Sequence, residues 1–283
     1  MPAKEQCAFY HCMDFPDGDS VLGQWDVRGR FDQYVGHYPL RGKTVLDMGT
    51  ATGFLCFSAE AAGATVTALD CGAASDLERV PFSVNLYHTD RGAWDRQTNE
   101  GEIRSIRNGF WHAWHKLGSK ATVSYTPIRD LQYFDETFDV VIAGAIIEHL
   151  ADPISAIGAM CRLADEAVIV AFTPLANDAK EYMIPMSIWD DPQLDYTWWL
   201  LSKGLLDRVF TNLGFKIELH PARAQARIGE SGDHERITVV ARRIASRGQQ
   251  PLIADYRSNA SEKDPGKLLK RIRRFFVHST ACF

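Results

Sequence analysis

Residues 44–70 read TVLDMGTATGFLCFSAEAAGATVTALD, and the order of residue types in that stretch sets the fold. An apolar run, Thr44-Val45-Leu46, reaches Asp47 and then meets Gly49-Thr50-Ala51-Thr52-Gly53 before a helical apolar pattern starts at Phe54. Strand, glycine turn and helix follow in that order. Glycine suits the turn because a residue without Cβ adopts positive φ and lets a ligand approach the backbone. Gly63 then stops the helix, and Ala64-Thr65-Val66-Thr67-Ala68-Leu69 reads as a second buried strand closing on Asp70. The unit is βαβ, so the chain is read as α/β.

A carboxylate at the tip of the second strand, roughly 20 residues after the turn, accepts both hydroxyls of a ribose. The expected ligand is therefore a nucleoside. A dinucleotide asks for a third glycine and an open helix N-terminus for its pyrophosphate. Thr52-Gly53-Phe54 and the Asp47 carboxylate crowd that place, and an anion there suits a cationic ligand better.

The chain has 283 residues, enough for one large α/β domain with additions. Its hydrophobic fraction of 46% is that of a globular protein. No apolar run approaches the ~20 residues of a membrane span, and MPAKEQCAFYHCMDF lacks the apolar core of a signal peptide. A cytoplasmic protein with no membrane partner is expected. Six scattered cysteines form no CxxC pair and have no histidines at zinc-like spacing, so no metal is expected. The net charge of −5 argues against a large polyanion-binding surface. One basic cluster, Lys267, Lys270, Arg271, Arg273 and Arg274, stands near the C-terminus.

Outward from the core stretch, residues 1–40 are dense in rings and charges, including Tyr10, His11, Trp25 and Arg30, and read as a cap over the nucleoside core. Ile103, Ile106, Phe110, Trp111, Trp114 and Leu117 fall at helical spacing, which predicts a helix over 101–117 carrying His112 and His115. Ala121–Tyr125 reads as the third strand, and the apolar Phe138–Gly144 as a parallel strand buried on both faces. Side chains just beyond such a strand face the ligand crevice of an open α/β sheet, which assigns Ala145, Glu148 and His149 to it. A helix over 153–164, a strand over 167–172, an insertion over 174–200 with Trp189 and Trp199, a helix over 202–213 and strands at 215–219 and 236–241 complete a domain over 41–243. A polar linker and a basic helix are expected over 244–283.

The DMGTATG turn with Asp70 resembles motif I and its acidic follower in class I S-adenosylmethionine-dependent methyltransferases. That resemblance implies a Rossmann-like, mostly parallel sheet of seven strands with the last antiparallel. It implies that Asp47, Gly49, Thr50, Gly53, Asp70 and Cys71 hold S-adenosylmethionine, with S-adenosylhomocysteine as product, and that Ile128 and Ala145 flank it. The middle glycine common in that turn is Ala51 here, and Pro127 stands where the family's adenine-binding acid is usual. FYHCMDFPDGDSVLGQWDVRGR and FWHAWHKLGSKA are similar to the group related to tRNA wobble-uridine (5-oxyacetyl-type) methyltransferases.

In-line methyl transfer needs a base only where the acceptor carries a proton that must leave. His149, His11 and Glu148 are the candidates, while Tyr10, Trp25, Arg30, His112, Trp189 and Trp199 are the candidate acceptor-binding residues. The leading reading is a methyltransferase acting on a small molecule, natural-product or sugar- or nucleoside-like. A tRNA-modifying enzyme, an NAD-dependent oxidoreductase and a non-catalytic nucleoside-binding module stay open beside it, as does a homo-oligomer.

Overall fold

The computed structural model describes residues 1–78, 89–186, 197–227 and 231–245, with backbone alone over 89–99. Met1–Ile244 is the unit treated below. In chain order its elements are β1 (Met13–Asp14), β2 (Ser20–Val21), β3 (Trp25–Asp26), α1 (Phe31–Tyr34), β4 (Thr44–Met48), α2 (Phe54–Ala61) and β5 (Thr65–Asp70). Then come α3 (Thr89–Leu117), β6 (Thr122–Tyr125), β7 (Phe138–Gly144), α4 (Pro153–Leu163) and β8 (Ala164–Thr173). After these follow β9 (Leu175–Ala176), β10 (Met183–Pro185), β11 (Trp199–Ser202), α5 (Lys203–Asn212), β12 (Phe215–Ala226) and β13 (Gly232–Arg243).

The main sheet runs β3-β12-β13-β8-β7-β4-β5-β6. β4 pairs in parallel with β5 and β7, β5 with β6, and β7 with β8. β13 is antiparallel to both β8 and β12. The mostly parallel sheet is as expected, with one addition: β3, from the N-terminal segment, lies antiparallel to the end of β12 and makes an eighth strand.

Alternation along the strands divides the core in two. Val45, Val66, Val140 and Ile169 pack with Leu55 and Phe57 of α2 and Phe110 of α3. Leu46, Leu69, Val141 and Val168 pack with Ile157 and Met160 of α4 and Phe210 of α5 on the opposite face. A central parallel strand must therefore be apolar at successive positions, which is why the runs at 44–48 and 138–144 announce themselves. α4 starts on Asp152, whose Oδ1 accepts the Ser155 amide at 2.9 Å, with Pro153 inside the first turn. α5 starts on Ser202 in the same way, accepting from Leu205 N at 3.1 Å.

Two elements outrun their sequence signals. β12 continues past Pro221 through the buried Ala222, Ala224 and Ala226, paired throughout with β13. Alanine is a weak strand former, and here its small side chain fills the inward face opposite polar outward neighbours. The insertion is a small sheet, β10-β11-β9, and its residues 187–196, with Trp189, lie outside the described residues.

Candidate functional site

The carboxyl ends of the neighbouring parallel strands β5, β4, β7 and β8 lie along one edge of the sheet, where an open α/β sheet places its ligand crevice. The first wall is the turn after β4. Gly49 and Gly53 have φ of 77° and 88°, and Ala51 takes φ 48° between them. A Cβ on Gly53 would come within 2.3 Å of Phe57, and one on Gly49 would meet Ile146 at 3.0 Å. The two glycines are thus required by backbone geometry and by the protein's own packing.

Beneath the turn lies Asp47, 1% exposed. Neither carboxylate oxygen has a hydrogen-bond partner among the described residues. Burial raises its pKa to about 7; the Thr50 hydroxyl and the Cys56 amide, near it but short of hydrogen-bond geometry, oppose the rise, and the charge of Asp70 adds to it. A buried carboxylate without partners costs several kcal/mol, so its presence under a glycine turn marks a place for a cation.

Asp70 sits at the end of β5. Its Oδ2 accepts the Ala51 amide at 2.5 Å and its Oδ1 accepts the Cys71 amide at 2.7 Å, so the acid ties the two loops together. Each oxygen keeps a further lone pair for a ligand hydroxyl. Burial pushes its pKa up, and the Ala51 and Cys71 amides pull against that rise. The loop after it is ordered by Asp76, which accepts from Gly72 N and Ala73 N at 2.8 and 3.1 Å. Arg107 of α3 donates to Gly72 O at 2.9 Å and lies over the Tyr125 ring at 4.2 Å. Sequence reasoning missed Arg107, since nothing local links α3 to the tip of β5.

The second wall is built of rings. His11 is buried and tilts against Phe54 at 5.5 Å, while Tyr10 meets it edge-on at 4.9 Å. Trp25 touches Phe172 and His234, each at 5.6 Å, and Tyr34 stacks on Phe172 at 5.3 Å. Glu148 lies behind these rings. It accepts from Thr173 Oγ1 and from Arg236 Nη1, both at 3.4 Å. The two walls meet where the His11 amide donates to Thr52 Oγ1 at 3.4 Å, and burial pushes the Tyr34 hydroxyl well above its usual pKa. Burial lowers the His11 pKa to about 4, so this imidazole is neutral, and its Nδ1 has no partner among the described residues.

Of the residues picked from sequence, the structure brings Asp47, Thr50, Asp70 and Cys71 to the first wall and Tyr10, His11, Trp25 and Glu148 to the second. Ile128 packs beside Leu131 on the α4 side, and Ala145 holds φ 47° at the end of β7. His149 follows Glu148 in the same turn, with its amide on Ile146 O at 3.0 Å. Three others make contacts of their own. Arg30 pairs with Asp233 at 2.9 Å, and His112 bonds Pro2 O at 3.0 Å against Phe9 and Phe15. Trp199 donates Nε1–H to Ala151 O at 3.1 Å. Tyr34, Phe172, His234 and Arg236 went unselected. Phe172 is found by its backbone alone, a non-glycine residue at φ 53° inside β8.

A family profile described as "Methyltransferase domain" matches residues 29–220. A ubiquinone biosynthesis O-methyltransferase of Vibrio parahaemolyticus is 28% identical over 172 residues, which cover 56% of this chain and 60% of that protein. Its counterpart in Pseudomonas putida is 27% identical over 145 residues, 51% of this chain and 50% of the other. The chain thus spans about half to three-fifths of the length of these curated relatives. Among solved structures, the N-terminal domain of EvdMO1 in the presence of SAH and D-fucose aligns with a TM-score of 0.47 at 16% identity, over 85% of this chain and 93% of that one. Among the described residues no helix is long and apolar enough to cross a membrane.

Proposed function

The chain belongs to the methyltransferase-domain family, and from that premise we propose that it transfers a methyl group from S-adenosylmethionine to a small-molecule acceptor bound between the two walls. The observation that carries this reading is Asp47. Its two oxygens lack partners beneath a glycine turn, which fits the ammonium end of that cofactor and gives no purchase to a pyrophosphate. When bound, the cofactor supplies an activated methyl on a sulfonium. The remaining work belongs to the chain.

Asp47 pairs with the ammonium, the free lone pairs of Asp70 take the ribose hydroxyls, and the side chain of Ile128 covers the adenine face. Tyr10, Trp25, Tyr34 and Phe172 exclude water and hold the acceptor in line, which is the larger part of catalysis by positioning. His149 is the leading candidate base; His11 links the walls, and the burial that lowers its pKa to about 4 makes it the weaker proton acceptor. A small molecule is preferred over tRNA because the second wall is lined by rings and the chain's net charge is −5. The basic cluster that favours tRNA, Lys267 to Arg274, lies outside the described residues.

Calorimetry with S-adenosylhomocysteine and with NAD tests the proposal. Binding of the first alone is the expected result, and heat from NAD with none from S-adenosylhomocysteine would overturn it. His149→Ala is expected to bind S-adenosylhomocysteine normally while losing turnover, whereas a loss confined to His11→Gln would move the base to that residue.

A further inference from the structure

The ring-lined wall has a polarity of its own. Arg236 enters it from β13 with its guanidinium 5.0 Å from the centre of Phe172 and 5.7 Å from that of Trp25. Its ion-pair partner among the described residues is Glu148, at 3.4 Å. That is a long contact for a charge-assisted pair, whose N···O distances are normally about 2.7–2.9 Å, and it engages one of five N–H donors. Burial is unequal across the pair: the Glu148 side chain is 2% exposed and that of Arg236 is 30% exposed. The carboxylate therefore stands behind the guanidinium, and the face offered to an entering molecule is the cation.

Thr173 Oγ1 lies 3.4 Å from both Glu148 Oε2 and Pro174 O, and Tyr10 and Tyr34 carry hydroxyls. Thr238 holds the rings in place, accepting the Phe172 amide at 3.1 Å and donating to Tyr34 O at 2.8 Å. It does so where the β8–β13 register slips between Ile237 and Val239, a local irregularity that re-aims neighbouring side chains. A guanidinium backed by a carboxylate and set between rings suits an aromatic anion.

We propose that Arg236 is the specificity residue of the acceptor site, and that the acceptor is a ring compound bearing a carboxylate. This rests on the methyltransferase reading, of which it names the substrate class. The carboxylate takes the unused guanidinium donors, the ring lies against Trp25, and Glu148 acts as a positioning residue that holds Arg236 in its plane.

The test uses the full chain and two acid–amide pairs, 4-hydroxybenzoate with 4-hydroxybenzamide and indole-3-acetate with indole-3-acetamide. Each is titrated with and without saturating S-adenosylhomocysteine. At least one acid is expected to bind about tenfold or more tighter than its amide. Arg236→Gln should abolish that preference, and Arg236→Lys, which keeps charge without the fork, should keep part of it. Glu148→Gln should reduce the preference while leaving S-adenosylhomocysteine affinity within about twofold. Equal affinities for acid and amide, absence of binding by both acids, or a preference surviving in Arg236→Gln would each overturn the proposal. Should Arg236→Gln fail to fold, the wild-type comparison decides alone. Loss of S-adenosylhomocysteine binding with the acid preference intact would sink the cofactor reading and leave the anion site standing.

Discussion

The two walls of the crevice are made in opposite ways. The first is read from one stretch, residues 47–71, and works through backbone: glycines at positive φ, amides on Asp70, and one buried carboxylate. The second draws Tyr10, Trp25, Tyr34, Glu148, Phe172 and Arg236 from across the chain and works through side chains. A ligand recognised by backbone can be spelled in consecutive residues, because a turn carries its own geometry. A chamber of side chains exists only once the sheet has formed, with β13 beside β8 and α1 laid over the strands.

The sharpest way to break this contrast is Asp47→Asn. The substitution keeps the shape and removes the charge, so S-adenosylhomocysteine affinity is expected to fall about 10- to 100-fold, the worth of a charge-assisted hydrogen bond. The same variant should leave the acid preference of the second wall untouched. The wild-type protein should show a matching pH dependence. With the folded pKa raised to about 7 from 3.8, the protein without ligand binds more protons than the unfolded chain between those values. Its stability therefore falls as pH rises across that window, and levels off above it. An ammonium ligand selects the ionised form, so affinity should climb roughly tenfold from about pH 6 to about pH 8. Asp47→Asn should flatten both slopes, and calorimetry with thermal melts across pH reads them. Parallel slopes in the two proteins would place the titrating group elsewhere.

That contrast also marks how far the sequence could be read. The βαβ core and the runs that become the other strands follow from apolar patterning and glycine stops, whereas the closing antiparallel strand is implied by the resemblance to methyltransferases. Asp47, Gly49 and Asp70 follow from spacing. Arg236 was hidden because it looked like the start of an ordinary strand, and Phe172 because its apolar neighbours in β8 made it one more core residue. Gly23 carried no signal either, although a Cβ there would lie 2.5 Å from the His11 backbone, so its absence lets the Tyr10–His11 segment reach the crevice. β3 was too short to register, yet its Trp25 is the ring on which the second wall turns. His112 and Trp199 attracted notice as polar-tipped rings; Trp199 gives its N–H to Ala151 O, while His112 meets Pro2 O through Nδ1 and its buried Nε2 has no partner among the described residues. Ring density in a segment marks the neighbourhood of a chamber and leaves its membership to tertiary contacts.

Thr238→Val tests the second wall with a smaller effect. Valine matches threonine in shape and strands the buried Phe172 amide and the Tyr34 carbonyl. The expected cost is about 2–3 kcal/mol, or roughly 5–10 °C in melting temperature for a unit of this size. S-adenosylhomocysteine affinity should hold within about twofold at a temperature where the variant is folded, because none of its contacts come from β13. A tenfold loss would show that the walls are coupled, and the separation drawn here would fail.

Ala51→Gly carries the smallest effect and probes the first wall from within. Ala51 holds φ 48°, a left-handed conformation that costs a residue with Cβ about 1–2 kcal/mol and costs glycine nothing. Glycine also adds freedom to the unfolded chain, which returns about 0.4–1 kcal/mol of that gain. The variant should therefore be more stable by about 0.5–1 kcal/mol, a shift of roughly 2–3 °C in thermal melts. The Ala51 amide on Asp70 is a backbone contact and survives the change, so affinity for S-adenosylhomocysteine should move by no more than about twofold. A loss of stability would mean that the Ala51 methyl group packs against the turn strongly enough to outweigh its strained backbone. In that case the first wall, too, would depend on a side chain, and the division between a backbone wall and a side-chain wall would have to be redrawn at this residue.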